Sequence, residues 1–234
     1  MAFQQDLMLQ VVDRIESAIE AAQAEHDRKT EALIANASEE DEIDIGNDSA
    51  DETMLLMGPV TEFARRAMLI TVYAQLEDEL KTLCRAAYKL KMSAKPVPQN
   101  NFHLKAAKAH IVQIAFAGQT FNAAVFGNAW KDIEDGWRAL RNVLAHDDGM
   151  LESNVSVEDP ESGNYLPLGE ASKDAEAVKA FVATHNKVKL RGDLIELERG
   201  AVEDFINDAA SALAPIEEEF LRVKPPSTRK KRPW

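Results

Sequence analysis

The chain has 234 residues, 45% of them hydrophobic, and a formal net charge of −13, which suits one large globular core and argues against a protein that coats nucleic acid through its whole surface. Its single cysteine, Cys84, excludes an internal disulfide framework and a CxxC-type zinc or redox site, and points to a reducing, cytoplasmic home. Asp6 breaks the only early apolar stretch and no apolar run reaches the length of a bilayer span, so neither a secretory leader nor a membrane anchor is expected.

Met8, Val11, Val12, Ile15, Ile19 and Ala22 recur at helical spacing and predict a first helix running to about Ile34. Ser38 to Glu52 then holds eight acids and no base. It lacks apolar periodicity, so residues 38–58 are expected to form an acidic loop or linker. Its oxygen-bearing side chains do not keep the spacing of a calcium loop. Gly58-Pro59 opens a second helix to about Lys91, with Leu69, Val72, Leu76, Leu80, Leu83, Ala87 and Leu90 on one face. Cys84 lies beside that stripe and is expected to be a buried core residue. A third helix carries Leu104, Ala107, Ile111, Ile114 and Ala115, with His103 and His110 in ordinary polar positions. A fourth carries Trp130, Ile133, Trp137, Leu140 and Leu144, and Gly118 and Gly127 bracket the connection before it.

Residues 150–199 have the composition of an insertion, rich in Gly, Pro, Ser and Asn, with a short helix from about Lys173 to His185. Val188 and Leu190 before Arg191-Gly192-Asp193, and Ile195 and Leu197 after it, predict a β-hairpin whose turn is the RGD tripeptide. Val202, Phe205, Ile206, Ala209, Leu213, Ile216 and Phe220 predict a final helix that contains Pro215. Residues 223–234 are expected to be a basic disordered tail; from Arg222 to Trp234 there are six bases and no acidic side chain. The expected fold is mainly α, a helical bundle over residues 1–222 forming a single domain, with a small β-hairpin near the C-terminal helix.

The spacings that cradle phosphates, bind dinucleotides, present a serine nucleophile or hold zinc are missing, so no cofactor and no metal are expected. The distinctive stretch is Arg141-Asn142-Val143-Leu144-Ala145-His146, followed by Asp147-Asp148-Gly149. Arginine supplies a permanent cation with a donor fork suited to phosphate, and histidine exchanges protons near neutral pH. Together they suit cleavage of a phosphodiester. On an ideal helix five steps turn His146 about 140° from Arg141 and shift it about 7.5 Å along the axis, so one straight helix cannot aim both at one atom. Either the helix unwinds before His146, or a second copy of the chain supplies the complementary groups. On spacing alone a simpler reading outweighs catalysis: Arg141 is a surface cation and His146 caps the last carbonyls.

The stretch RNVLAHDDG resembles the signature of the HEPN (higher eukaryotes and prokaryotes nucleotide-binding) superfamily, an Arg, a polar residue, a short spacer and a His at a helix end. LITVYAQLEDELKTL is similar to the aromatic, leucine-rich helix that precedes the motif in such domains, and GDLIELERGAVEDFI to their strand-then-helix ending. The resemblance implies an HEPN-like helical bundle that dimerises so that both motifs face a shared cleft and cut RNA without metal. It assigns Arg141 to the scissile phosphate, Asn142 to positioning, and His146 to proton transfer involving a ribose 2′-hydroxyl. It further implies a toxin or an antiviral, abortive-infection effector, partnered by an antitoxin or sensor protein. Glu134, Asp135, Asp147 and Asp148 repel RNA phosphates unless Arg138 and Arg141 offset them, which makes Arg138 a candidate RNA contact. The basic tail is another. The alternative is a non-catalytic HEPN regulatory or adaptor module that binds a nucleotide, RNA or a protein.

Overall fold

A computed structural model describes residues 4–98, 102–147, 149–151, 156–158, 165–167 and 172–223. The molecule is mainly α-helical, with a small antiparallel hairpin preceding its C-terminal helix. Asp148, much of the 150–199 insertion and, apart from Val223, the basic tail lie outside the described residues. Among the described residues no helix is long and apolar enough to cross a membrane.

The first helix, α1 (Gln5–Ile34), has the predicted extent, but only Val12 and Glu16 are buried along it. Most of the expected apolar stripe is therefore at or near the surface. The acidic stretch departs further from expectation. Residues 38–58 are not a loop or linker, because Glu39–Leu55 form a second helix, α2. Ser38 explains its start: the Ser38 hydroxyl accepts the Asp41 backbone N–H at 3.3 Å and donates to the Asp41 carboxylate at 2.6 Å, an N-terminal cap. The Asp41 carboxylate, in the first turn, also complements the helix dipole. Against α1, Thr30 and Ser49 share a hydroxyl hydrogen bond of 2.9 Å and His26 lies 3.1 Å from the Glu52 carboxylate.

Leu56–Val60 continue as a π-helical turn around Pro59 and lead directly into α3 (Thr61–Lys89). The predicted face of α3 is buried from Leu69 to Ala87, with Cys84 fully enclosed; burial pushes its thiol up to about 12. Next comes α4 (Leu104–Ile111), capped by His103, whose Nδ1 accepts the Ala106 N–H. It is shorter than predicted. Ile114 lies beyond its end, and Ala115 opens a two-residue strand, β1 (Ala115–Phe116), that pairs with β2 (Gln119–Thr120). A continuous helical run follows as α5 (Asn128–Lys131), a π-helical turn (Asp132–Trp137) and α6 (Arg138–His146). Beyond it come β3 (Ser156–Glu158) paired with β4 (Tyr165–Pro167), α7 (Ala175–Val182), the hairpin β5 (Val188–Arg191) and β6 (Leu194–Leu197), and α8 (Ala201–Val223). The RGD stretch forms the hairpin turn, with Gly192 at φ +62°, and α8 continues through Pro215.

The chain divides into two compact units, Tyr73–Arg138 with Asn207–Trp234 and Met1–Phe3, and Gln4–Val72 with Ala139–Ile206. The first unit buries Leu76, Leu80, Ile111, Trp130, Trp137 and Ile216. Its indoles are satisfied, Trp137 by donation to Asp208 and Trp130 by donation to Glu134, each at 2.8 Å, as buried aromatic N–H groups require. In the second unit, Leu69, Val143, Phe181, Ile195 and Phe205 are buried beside a charged network. Arg65 grips Glu16 with two hydrogen bonds of 2.8 Å and donates to the Leu197 carbonyl, while Arg66 donates to Glu62 and to the Ile195 carbonyl. Glu16 is only 2% exposed, a position tenable for a carboxylate because a cation pairs with it.

Candidate functional site

The three residues singled out by sequence all stand on α6. Ala139, Leu140, Val143 and Leu144 are its buried face and fix its rotation, as an apolar stripe must. That leaves Arg141 and Asn142 half-buried and Ala145, His146 and Asp147 exposed. Arg141 Nη1 donates to Asn142 Oδ1 at 3.1 Å, and Asn142 Nδ2 donates to Asp174 Oδ2 at 2.8 Å. A polar chain thus runs from guanidinium to amide to carboxylate. Asp174 stands immediately before α7. Sequence reasoning missed it, and with Asn142 and Asp174 standing 32 positions apart, no local spacing signals the pair.

The end of α6 bears on the first of the arrangements set out from the sequence. The helix does not unwind before His146; it includes His146, and the Asp147 N–H still donates to the Val143 carbonyl. Gly149 then closes it, at φ +80° and with its N–H also on Val143 O. A side chain there is strained by the positive φ, and a Cβ would sit 2.8 Å from the Arg66 guanidinium carbon, so that Arg66 would have to shift. The segment after the motif is stitched to the β-hairpin: Ile195 N–H donates to Gly149 O, Leu151 N–H donates to Asp193 O, and Met150 bridges to Leu194. Helical geometry therefore keeps Arg141 and His146 about 140° apart around one axis.

Arg138 is half-buried, and its Nε donates to the Glu134 carbonyl at 2.7 Å, so this candidate RNA contact is tied to its own helical run. The Glu134 carboxylate is likewise engaged, by Lys108 Nζ and Trp130 Nε1 at 2.8 Å each. Burial pulls its pKa upward, but those two hydrogen bonds and the positive charges of Lys108 and Lys105 hold it below the usual carboxylate value. That carboxylate is partly neutralised. Asp147, by contrast, is exposed.

Chemically, α6 presents a guanidinium oriented by a neighbouring amide and, about 7.5 Å further along the axis on a diverging face, an imidazole open to solvent at the helix end. The first can hold an anionic oxygen and the second can move a proton. Comparison with family models, curated proteins and solved structures finds no match for this chain.

Proposed function

We propose that the chain is a metal-independent endoribonuclease of HEPN type, working as a homodimer in which each cleavage centre takes Arg141 and Asn142 from one copy and His146 from the other. The observation that carries this reading is the unbroken helicity of α6 through an exposed His146. One copy presents cation and imidazole on diverging faces, whereas a two-fold axis near the motif lets the groups of two copies converge. A π-helical turn, Asp132–Trp137, immediately precedes the motif, and such turns concentrate at functional sites. In the reaction the ribose 2′-oxygen attacks the adjacent phosphorus, the bond to the 5′-oxygen breaks, and a 2′,3′-cyclic phosphate forms. Arg141 stabilises the charge that grows on the phosphoryl oxygens. His146 relays the proton lost by the 2′-hydroxyl or gained by the departing 5′-oxygen. A cytoplasmic toxin or antiviral effector restrained by an antitoxin or sensor protein is the biological role this chemistry serves best.

A second reading has its own observation. The Arg141–Asn142–Asp174 chain already gives two motif residues a structural task, as in an adaptor that binds RNA, a nucleotide or a protein without cutting. Cleavage of single-stranded RNA in EDTA separates the two. Wild-type protein is expected to give fragments with cyclic-phosphate 3′ ends, and His146→Ala to lose at least a hundredfold in rate. Folded, dimeric wild-type protein that leaves RNA intact sinks the nuclease reading.

A further inference from the structure

Between Lys81 and Lys131 the chain holds eight lysines and arginines and no carboxylate side chain, in a molecule whose formal net charge is −13. The run lies within one compact unit, and the fold gathers part of it on one face. Arg85, Tyr88 and Lys89 are exposed at i, i+3 and i+4 near the end of α3, a spacing that sets them side by side. The helix then closes with the Met92 N–H on Ala87 O and the Lys91 N–H on Tyr88 O. That pair of bonds calls for a left-handed residue, usually glycine, at the position of Lys91. Lys91 nonetheless occupies it, at φ 58°, a strained conformation for a residue with a side chain.

The chain beyond is held in place. Ser93 bonds both backbone groups of Lys95, His110 Nε2 lies 3.0 Å from the Lys95 carbonyl, and the Ala115 N–H donates to Met92 O at 2.8 Å. These elements frame an open cavity of about 690 Å³ lined by Tyr88, Lys89, Lys91, Ser93 and Gln113 among others. Among the described residues Lys108 pairs with Glu134, whereas no ion pair engages Arg85, Lys89, Lys91, Lys95 or Lys105. Tyr88 is 45% exposed.

We infer that this face binds the backbone of single-stranded RNA, with Lys89, Lys91 and Lys95 taking phosphates and the Tyr88 ring offering a base a surface to stack on. Lysines act as point charges that hold phosphates without reading sequence, and an exposed aromatic beside them suits an unpaired base. A concave rim bearing one aromatic fits a splayed base better than a flat, anionic bilayer, which calls for a projecting apolar edge. The inference shares its ligand with the ribonuclease reading and adds a docking face which that reading does not name.

The test is fluorescence anisotropy of a labelled single-stranded RNA with His146→Ala protein, so that the probe stays whole, across a salt series. Lys89→Glu/Lys91→Glu/Lys95→Glu is compared with the charge-matched Arg14→Glu/Arg28→Glu/Lys29→Glu on α1. The first triple is expected to weaken binding at least tenfold and to flatten the slope of log K against log salt by about 2, and the second to do neither. Lys91→Gly guards against a folding artefact: it relieves the left-handed backbone and should raise the melting temperature while weakening RNA binding. Equal losses in the two triples, or no RNA binding by the parent, overturn the inference. So does binding to phosphatidylserine vesicles in place of RNA. A patch-dependent RNA complex from a chain that never cleaves leaves the inference standing and removes the nuclease, whereas cleavage and binding untouched by the patch variant do the reverse.

Discussion

Single side chains in this molecule owe their state to specific neighbours, and Glu134 shows how that becomes measurable. Burial disfavours its charge, yet the hydrogen bonds from Lys108 and Trp130 prevail and its pKa falls below the ordinary 4.5. A carboxylate with a depressed folded pKa contributes stability that is complete above its unfolded pKa and is lost as pH falls through the folded one. Glu134→Gln should therefore lower stability by roughly 1–2 kcal/mol at pH 7, with the gap to wild type closing as pH drops below 4.5. Urea titrations of both proteins at pH 7 and in the acid range check this, and a gap independent of pH contradicts it. Arg141 and Asn142 were legible as candidates from residue type and spacing. Asp174 was not, because only the tertiary fold brings it within 2.8 Å of Asn142.

Among the elements, α3 and α8 show what periodicity can reveal: their buried faces follow the apolar spacing from Leu69 to Ala87 and from Val202 to Phe220. The hairpin of β5 and β6 was equally plain from alternation around a glycine turn. For α2 the same logic fails, because its helicity comes from the Ser38 cap, the Asp41 carboxylate at the positive end of the dipole and hydrogen bonds to α1. None of these produces an apolar stripe. The acid-free run from Lys81 to Lys131 stood in the sequence as composition, and it took the closure of α3 at Lys91 to join part of it to a cavity. The end of α6 carries the element-scale prediction. Gly149→Ala forces a side chain into a left-handed position and against the Arg66 guanidinium, and should destabilise the chain by about 1–3 kcal/mol in chemical denaturation. A neutral result would mean that the motif is not anchored at this point.

At the scale of the whole molecule, the proposed ribonuclease function sets a strongly acidic chain on a polyanion, which demands that cations be concentrated where the ligand lies. That proposed function also demands two copies, since each centre joins the Arg141 of one to the His146 of the other. Complementation tests that claim most directly. Arg141→Ala and His146→Ala proteins, each inactive alone, are unfolded together, refolded as a mixture and assayed for RNA cleavage in EDTA. Half of the dimers then pair unlike chains, and each of these holds one intact centre of two, so about one quarter of wild-type activity should return. A mixture as dead as its components, from a wild type that cleaves, would place the whole centre within one chain and contradict the account.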